Sequence, residues 1–318
     1  MPYSLMLSSQ VPPEETIGVA RLAERTGFSR IWLTEDYYRK AAFASCAAVL
    51  GATSHLTVGL GVASLYLRHP TTLAMEIATL HRMFGGRFEA GVGLGSPRAL
   101  NGSNRMPALS IRSIRERLAV LGDLLSGKAV SAADEFDTVG NAQLQYPAVI
   151  DVPTWLGAEG PQMLALARDH ADGVVFSAFS SVPYLNWAMS ILHKKGPHRS
   201  VLYLHTSVHE DHDVAKRAAR NVLLGRIRAG YSSSSMRRSG YWDIVEPLLG
   251  APADTIQPHL TDELVSTFVV YGTPSECRDK IAEFETTGVS EIALAPTMDN
   301  DPARLGEAVS ALSAVLNS

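Results

Sequence analysis

The chain has only two cysteines in 318 residues, Cys46 and Cys277, and no C-x-x-C pair. That excludes a disulfide framework and gives no zinc-ligand spacing, so both thiols are expected to pack as small apolar groups. It also has no run of about 18 apolar residues that would span a bilayer, and "MPYSLMLSSQVPPEE" lacks both the basic and the long apolar region of a secretory leader. A cytoplasmic location without membrane contact is the expectation. Excess positive charge is missing too. With 28 Lys and Arg against 32 Asp and Glu, the net charge of −4 gives no electrostatic footprint for nucleic acid. What the chain does have is 46% apolar residues, enough for a large buried core.

Short β-rich apolar runs alternate with longer helical patterns, the signature of βα units around a parallel sheet. Eight strands are read near Ser4–Leu7, Arg30–Thr34, Thr57–Val62, Phe88–Val92, Pro153–Leu156, Gly173–Phe176, Val201–Ser207 and Glu291–Ala295. Helices fall between them, with Pro70 opening one, Gly85–Gly86 closing it, and Gly27 and Gly288 closing two others. Eight units favour a single (β/α)8 barrel over a doubly wound sheet, and in such barrels the loops after the strands carry function. Two insertions interrupt the pattern. The first, about 127–150 after strand four, has alternating segments suited to a hairpin. The second, about 230–265 after strand seven, has four successive serines and several aromatics; it reads either as a substrate lid or interaction segment, or as a loosely ordered excursion with short helices.

"RFEAGVGLGSP" sets glycines at 91, 93 and 95 directly after a strand, which is not the G-x-G-x-x-G spacing of a dinucleotide fold. "GAEGP", Gly157-Ala158-Glu159-Gly160-Pro161, opens a helix whose free N–H groups and positive dipole end suit a phosphate, with Ser177 past the next strand able to add a hydroxyl. The plain alternative is an ordinary βα turn. "HEDHD" at His209–Asp213 reads as the capped start of a helix rather than a metal cluster. His69 reads as a structural hydrogen-bonding residue at the barrel mouth, and Arg68 as a group able to reach an anion there. His55, His81 and His170 fall at helix ends or on the surface. Tyr66, Trp187, Tyr231, Tyr241 and Trp242 line a pocket or belong to core or interface. Arg98 and "NGSNR" are candidates for substrate or cofactor-tail contacts.

Four segments together, "GFSRIWLTEDYY", "LTVGLGVASLYLRHPTTLAMEIATLHRMFGGRFEAGVGLGSP", "LGAEGPQMLALARDHADGVVFS" and "VYGTPSECRDKIAEFETTGVSEIALAP", resemble the luciferase-like flavin or deazaflavin oxidoreductases in order and spacing. The "YLRHP" segment is most similar to the F420-dependent branch that includes methylenetetrahydromethanopterin reductase. The resemblance implies a bacterial-luciferase-type (β/α)8 TIM barrel holding coenzyme F420, or alternatively FMN, at the C-terminal ends of its strands. It further implies that Gly61-Val62-Ala63-Ser64 forms a bulge under the cofactor ring with a non-prolyl cis bond at Gly61–Val62, that Gly93 shapes the space beside it, and that Gly157, Ala158, Glu159, Gly160, Pro161 and Ser177 hold the phosphate.

Members of that family often carry a histidine after an acidic residue at the end of strand two. This chain has Glu35 followed by Asp36 and Tyr37, which become the candidate catalytic groups, Glu35 the foremost on the cofactor side; Asp36 alternatively caps the next helix or pairs with Arg39. The implied activity is hydride transfer between the deazaflavin C5 and an electron-poor carbon of a small organic substrate, with no metal. An FMN monooxygenase using oxygen is the first alternative and a non-catalytic barrel subunit the second. A homodimer is the expected assembly.

Overall fold

In the computed structural model, which describes residues 1–104, 110–149, 151–297 and 304–316 (side chains of 97–99 excepted), the expected strands close into one parallel barrel. In chain order the strands are β1 Tyr3–Leu7, β2 Arg30–Leu33, β3 Thr57–Ser64, β4 Phe88–Gly93, β5 Val130–Ala133, β6 Thr138–Ala142, β7 Thr154–Gly157, β8 Gly173–Phe176, β9 Arg199–Val208, β10 Val269–Gly272 and β11 Glu291–Pro296. The closed order is β1-β2-β3-β4-β7-β8-β9-β11 and back to β1, every pairing parallel. β5 and β6 form an antiparallel hairpin between the fourth and fifth barrel strands. One strand was not read from the sequence: β10 pairs with the top of β9, from Val269↔His205 to Gly272↔Val208.

Both faces of the barrel strands are buried, so their sequences are continuous apolar runs rather than alternating ones. Outward residues such as Leu5, Leu7, Ile31, Leu33, Val58 and Leu60 join the shell of helices, while Met6, Trp32, Trp155, Val201, Tyr203, Ala293 and Ala295 fill the interior. Trp32 and Trp155 meet edge to face at the barrel axis, centroids 5.1 Å apart. Their indole N–H groups point to the N-terminal end, where each donates to a carboxylate at 2.7 Å: Trp32 to Glu291 and Trp155 to Glu89. Arg30 bridges the two acids at 2.8 and 2.9 Å, and Ser4 adds a 2.6 Å bond to Glu291. This polar plug closes the bottom of the barrel and leaves the C-terminal mouth for chemistry.

The stretch 230–265 is packed, not loose. Its short helices Ser234–Arg237, Trp242–Val245, Ala253–Ile256 and Asp262–Phe268 enclose an apolar cluster of Met236, Val245, Ile256 and Leu264 against Leu223 and Ile227 of the helix His212–Arg228. Both cysteines are free and buried.

Candidate active site

At the top of β3 the register against β4 shifts between Leu60 and Ala63, and the peptide bond inside that bulge, Gly61–Val62, is cis as expected. Tyr203 crosses the barrel interior from β9 and its hydroxyl donates to the Gly61 carbonyl at 3.4 Å. The Val62 side chain then lies on two other strand ends: a Cβ on Gly93 would be 3.0 Å from Val62 Cγ2, and one on Gly157 3.3 Å from both its methyls. Gly61, Val62, Gly93 and Gly157 thus converge on one floor, in which the Val62 side chain packs over the two glycines. Ala63 turns instead into the outer core, and Ser64 binds the Leu94 carbonyl at 2.7 Å, shaping the loop rather than the floor.

The opening glycines answer to that bulge. Gly91 accommodates the Leu60 carbonyl, to which an added Cβ would come within 2.1 Å, and Gly95, at φ +90°, passes over Ser64.

Beside the floor, the helix Pro161–His170 starts at Gly160 with no side-chain cap, leaving its first-turn N–H groups available to an anion. Ala158 is buried in the outer core. The side chain of Glu159 accepts from Ser177 at 2.6 Å and its carbonyl from Tyr184 at 3.0 Å, so two groups expected to hold a phosphate are bound to each other. A carboxylate beside an anion site needs a nearby cation. Arg226, from the helix His212–Arg228, has its pKa lowered mainly by burial and is near enough to Glu159 for that carboxylate to pull it back up in part. Its Nε is buried with no hydrogen-bond partner, and its guanidinium lies 5.4 Å from the Phe179 ring centre.

On the opposite wall Glu35 is clamped by Arg68 through two bonds of 2.6 and 2.7 Å, and Arg68 also reaches Glu76 at 3.0 Å. That pair fixes the loop after β2 to the loop after β3, so Arg68 is engaged with carboxylates rather than open to an anion. Asp36 is exposed; its side chain neither caps the next helix nor forms an ion pair with Arg39 among the described residues, although the Arg39 N–H donates to its carbonyl at 3.2 Å, and its carboxylate accepts a short bond from the Ser9 hydroxyl. Tyr37 is 44% exposed and stacks edge-on against Tyr38.

Tyr66 is core, its hydroxyl bonded to Ser113 at 3.0 Å beneath Arg117. Trp187 lies partly buried under the guanidinium of Arg238, 3.8 Å from its ring centre. His69 caps the helix Pro70–Met83 and bonds the Thr138 carbonyl. In "HEDHD", Asp211 caps the helix His212–Arg228 and His212 pairs with Glu276. Among the described residues no cluster of three or more His, Cys, Asp or Glu could hold a metal, and no helix is long and apolar enough to cross a membrane. The Arg98 side chain and Arg105 lie outside the described part.

His205 was missed by sequence reasoning. It points inward on β9, and burial together with the Arg226 charge pushes its imidazole down to about 4. The only sequence signal was a histidine directly after the apolar run "VLYL" of that strand.

Residues 2–291 match the family model described as "Luciferase-like monooxygenase". The chain is 26% identical over 297 residues to a 5,10-methylenetetrahydromethanopterin reductase of Methanolobus tindarius, covering 89% of this chain and 91% of that one. Its fold superposes on the coenzyme F420-dependent tetrahydromethanopterin reductase of Methanopyrus kandleri with TM-score 0.81 at 23% identity, covering 97% of each chain. It superposes on an F420-dependent secondary alcohol dehydrogenase, solved with an F420–acetone adduct, with TM-score 0.80 at 18% identity, covering 99% of this chain and 98% of that one.

Proposed function

The chain belongs to the luciferase-like monooxygenase family, and from that premise we propose that it is an F420-dependent reductase transferring hydride to an electron-poor carbon of a small organic substrate. The observation that carries this reading is the floor at the barrel mouth, where Val62 packs over Gly93 and Gly157 at the Gly61 bulge, beside an uncapped helix start. A planar ring system with an anionic tail fits both features, and relatives named as F420-dependent favour the deazaflavin.

The chemistry F420 supplies when bound is a hydride from C5 of its reduced ring. The residues of this chain do the rest. The Gly61–Val62 segment would back the ring, Gly93 and Gly157 keep its edge clear, and the N–H groups of Gln162 and Met163 would hold the phosphate, with Arg226 offsetting the Glu159 carboxylate. Glu35 and Arg68 tie two mouth loops together and so hold the wall opposite β9. Asp36 and Tyr37, exposed beside that wall, would meet substrate rather than the ring floor. Residues 230–265 begin over the helix start, with Ser234 Oγ about where a side chain on Gly160 would reach, and would exclude water there.

The family description itself favours a second reading, a monooxygenase using reduced FMN and oxygen. Turnover with an electron-poor alkene, imine or carbonyl compound under an oxygen electrode separates them. The reductase is expected to oxidise its reduced cofactor at the same rate with and without oxygen and to consume none; oxygen uptake stoichiometric with product would establish the monooxygenase.

A further inference from the structure

Hydride delivery to a C=O, C=N or conjugated C=C–C=O acceptor moves the π electrons onto a heteroatom, so the reaction needs a donor aimed at that atom. The acidic groups after β2 are poorly placed to be it. Both oxygens of Glu35 are taken by Arg68, and Asp36 is bound to Ser9.

The wall across the mouth offers another group. β9 alternates, with Val201 and Tyr203 in the barrel interior and Leu202 and Leu204 in the outer core, so His205 faces inward, paired with the interior residue Ala295. Tyr203 touches the Gly61 carbonyl from that same face. Two residues along a strand is about 6.6 Å, so His205 stands one layer above Tyr203, toward the mouth. Its ring packs 5.0 Å from that of Phe179, and its Nδ1 is buried with no hydrogen-bond partner, a capacity that a ligand would use.

We propose that His205 is the catalytic hydrogen-bond donor to the heteroatom of the hydride acceptor, which selects substrates whose electron-poor carbon carries, or is conjugated to, a carbonyl oxygen or imine nitrogen. Burial, with the neighbouring Arg226 charge, keeps the imidazole neutral at physiological pH, so one ring nitrogen carries N–H and donates without giving up its proton. Both electrons of the broken C–H bond go to the acceptor carbon, the π pair goes to the heteroatom, the N–H of His205 stabilises that charge, and water supplies the proton.

This inference rests on the hydride-transfer reading and is tested on full-length protein labelled with [13Cε1]histidine, using cyclohex-2-enone as the acceptor. Wild type, His205→Gln and His205→Leu are expected to bind oxidised F420 within about threefold of one another. The wild-type resonance that His205→Gln lacks is expected to shift when the enone is added to the F420-bound protein. With reduced F420, enone reduction is expected to fall on the order of a hundredfold in His205→Leu and less in His205→Gln, which keeps an N–H donor. If F420 binds but that resonance ignores the enone, or His205→Leu reduces it at the wild-type rate, the role of His205 is overturned and the reductase reading stands. Failure of wild type to bind F420 overturns both.

Discussion

Gly61→Ala is expected to lose F420 binding and to destabilise the fold by about 3 kcal/mol or more, above the usual range for an overpacked core. The added Cβ would sit 1.8 Å from the Tyr203 hydroxyl and 2.9 Å from the ring carbon that bears it. Tyr203 has no room to yield, because it is buried in the barrel interior beside Trp32, with ring centroids 6.2 Å apart. The bulge must therefore move, taking Val62 off Gly93 and Gly157 and raising the floor. The double variant Gly61→Ala/Tyr203→Phe removes the oxygen that collides and is expected to recover part of the stability and of the binding, a coupling readable from a mutant cycle by denaturation and F420 titration. Full binding and wild-type stability in Gly61→Ala alone would show that the floor is not held as described.

The second large effect lies at the opposite end. Arg30→Met is expected to cost about 3–5 kcal/mol, because it leaves a buried carboxylate without its counter-charge. Glu89 keeps Arg199 at 3.5 Å, but Glu291 loses its only cation among the described residues. Adding Glu291→Gln to Arg30→Met is accordingly expected to restore most of the loss, since an amide still accepts from Ser4 and Trp32. F420 affinity per folded molecule should not change in either protein, the plug and the mouth being at opposite ends of the strands. A single variant no less stable than wild type would mean that the plug is solvated.

The barrel was legible because its evidence is local. Each strand is an apolar run bounded by turn chemistry, and eight of them alternating with helical patterns leave few architectures. β10 was not legible for the same reason in reverse: "VVYG" follows the helix Asp262–Phe268 without a break, so the apolar run offered no boundary. The site divides similarly. The helix start at Gly160 was read from one short motif, and the bulge at Gly61–Val62 from the family resemblance of the segment that holds it. What those residues touch was not readable. Gly91 faces the Leu60 carbonyl, Glu35 meets Arg68, and Glu159 meets Ser177, each pairing set by strand register and loop packing rather than by spacing in the chain. His205 went unread because only the register of β9 against β11 shows that it faces inward.

The central claim is that the glycine-cleared floor and the uncapped helix start hold a deazaflavin. Parallel titrations of the purified chain with F420 and with FMN, each oxidised and reduced, test it most directly. The expected result is saturable one-to-one binding of F420 that is lost in Gly61→Ala, with FMN binding at least tenfold weaker. Tight FMN binding with no F420 binding would contradict the account.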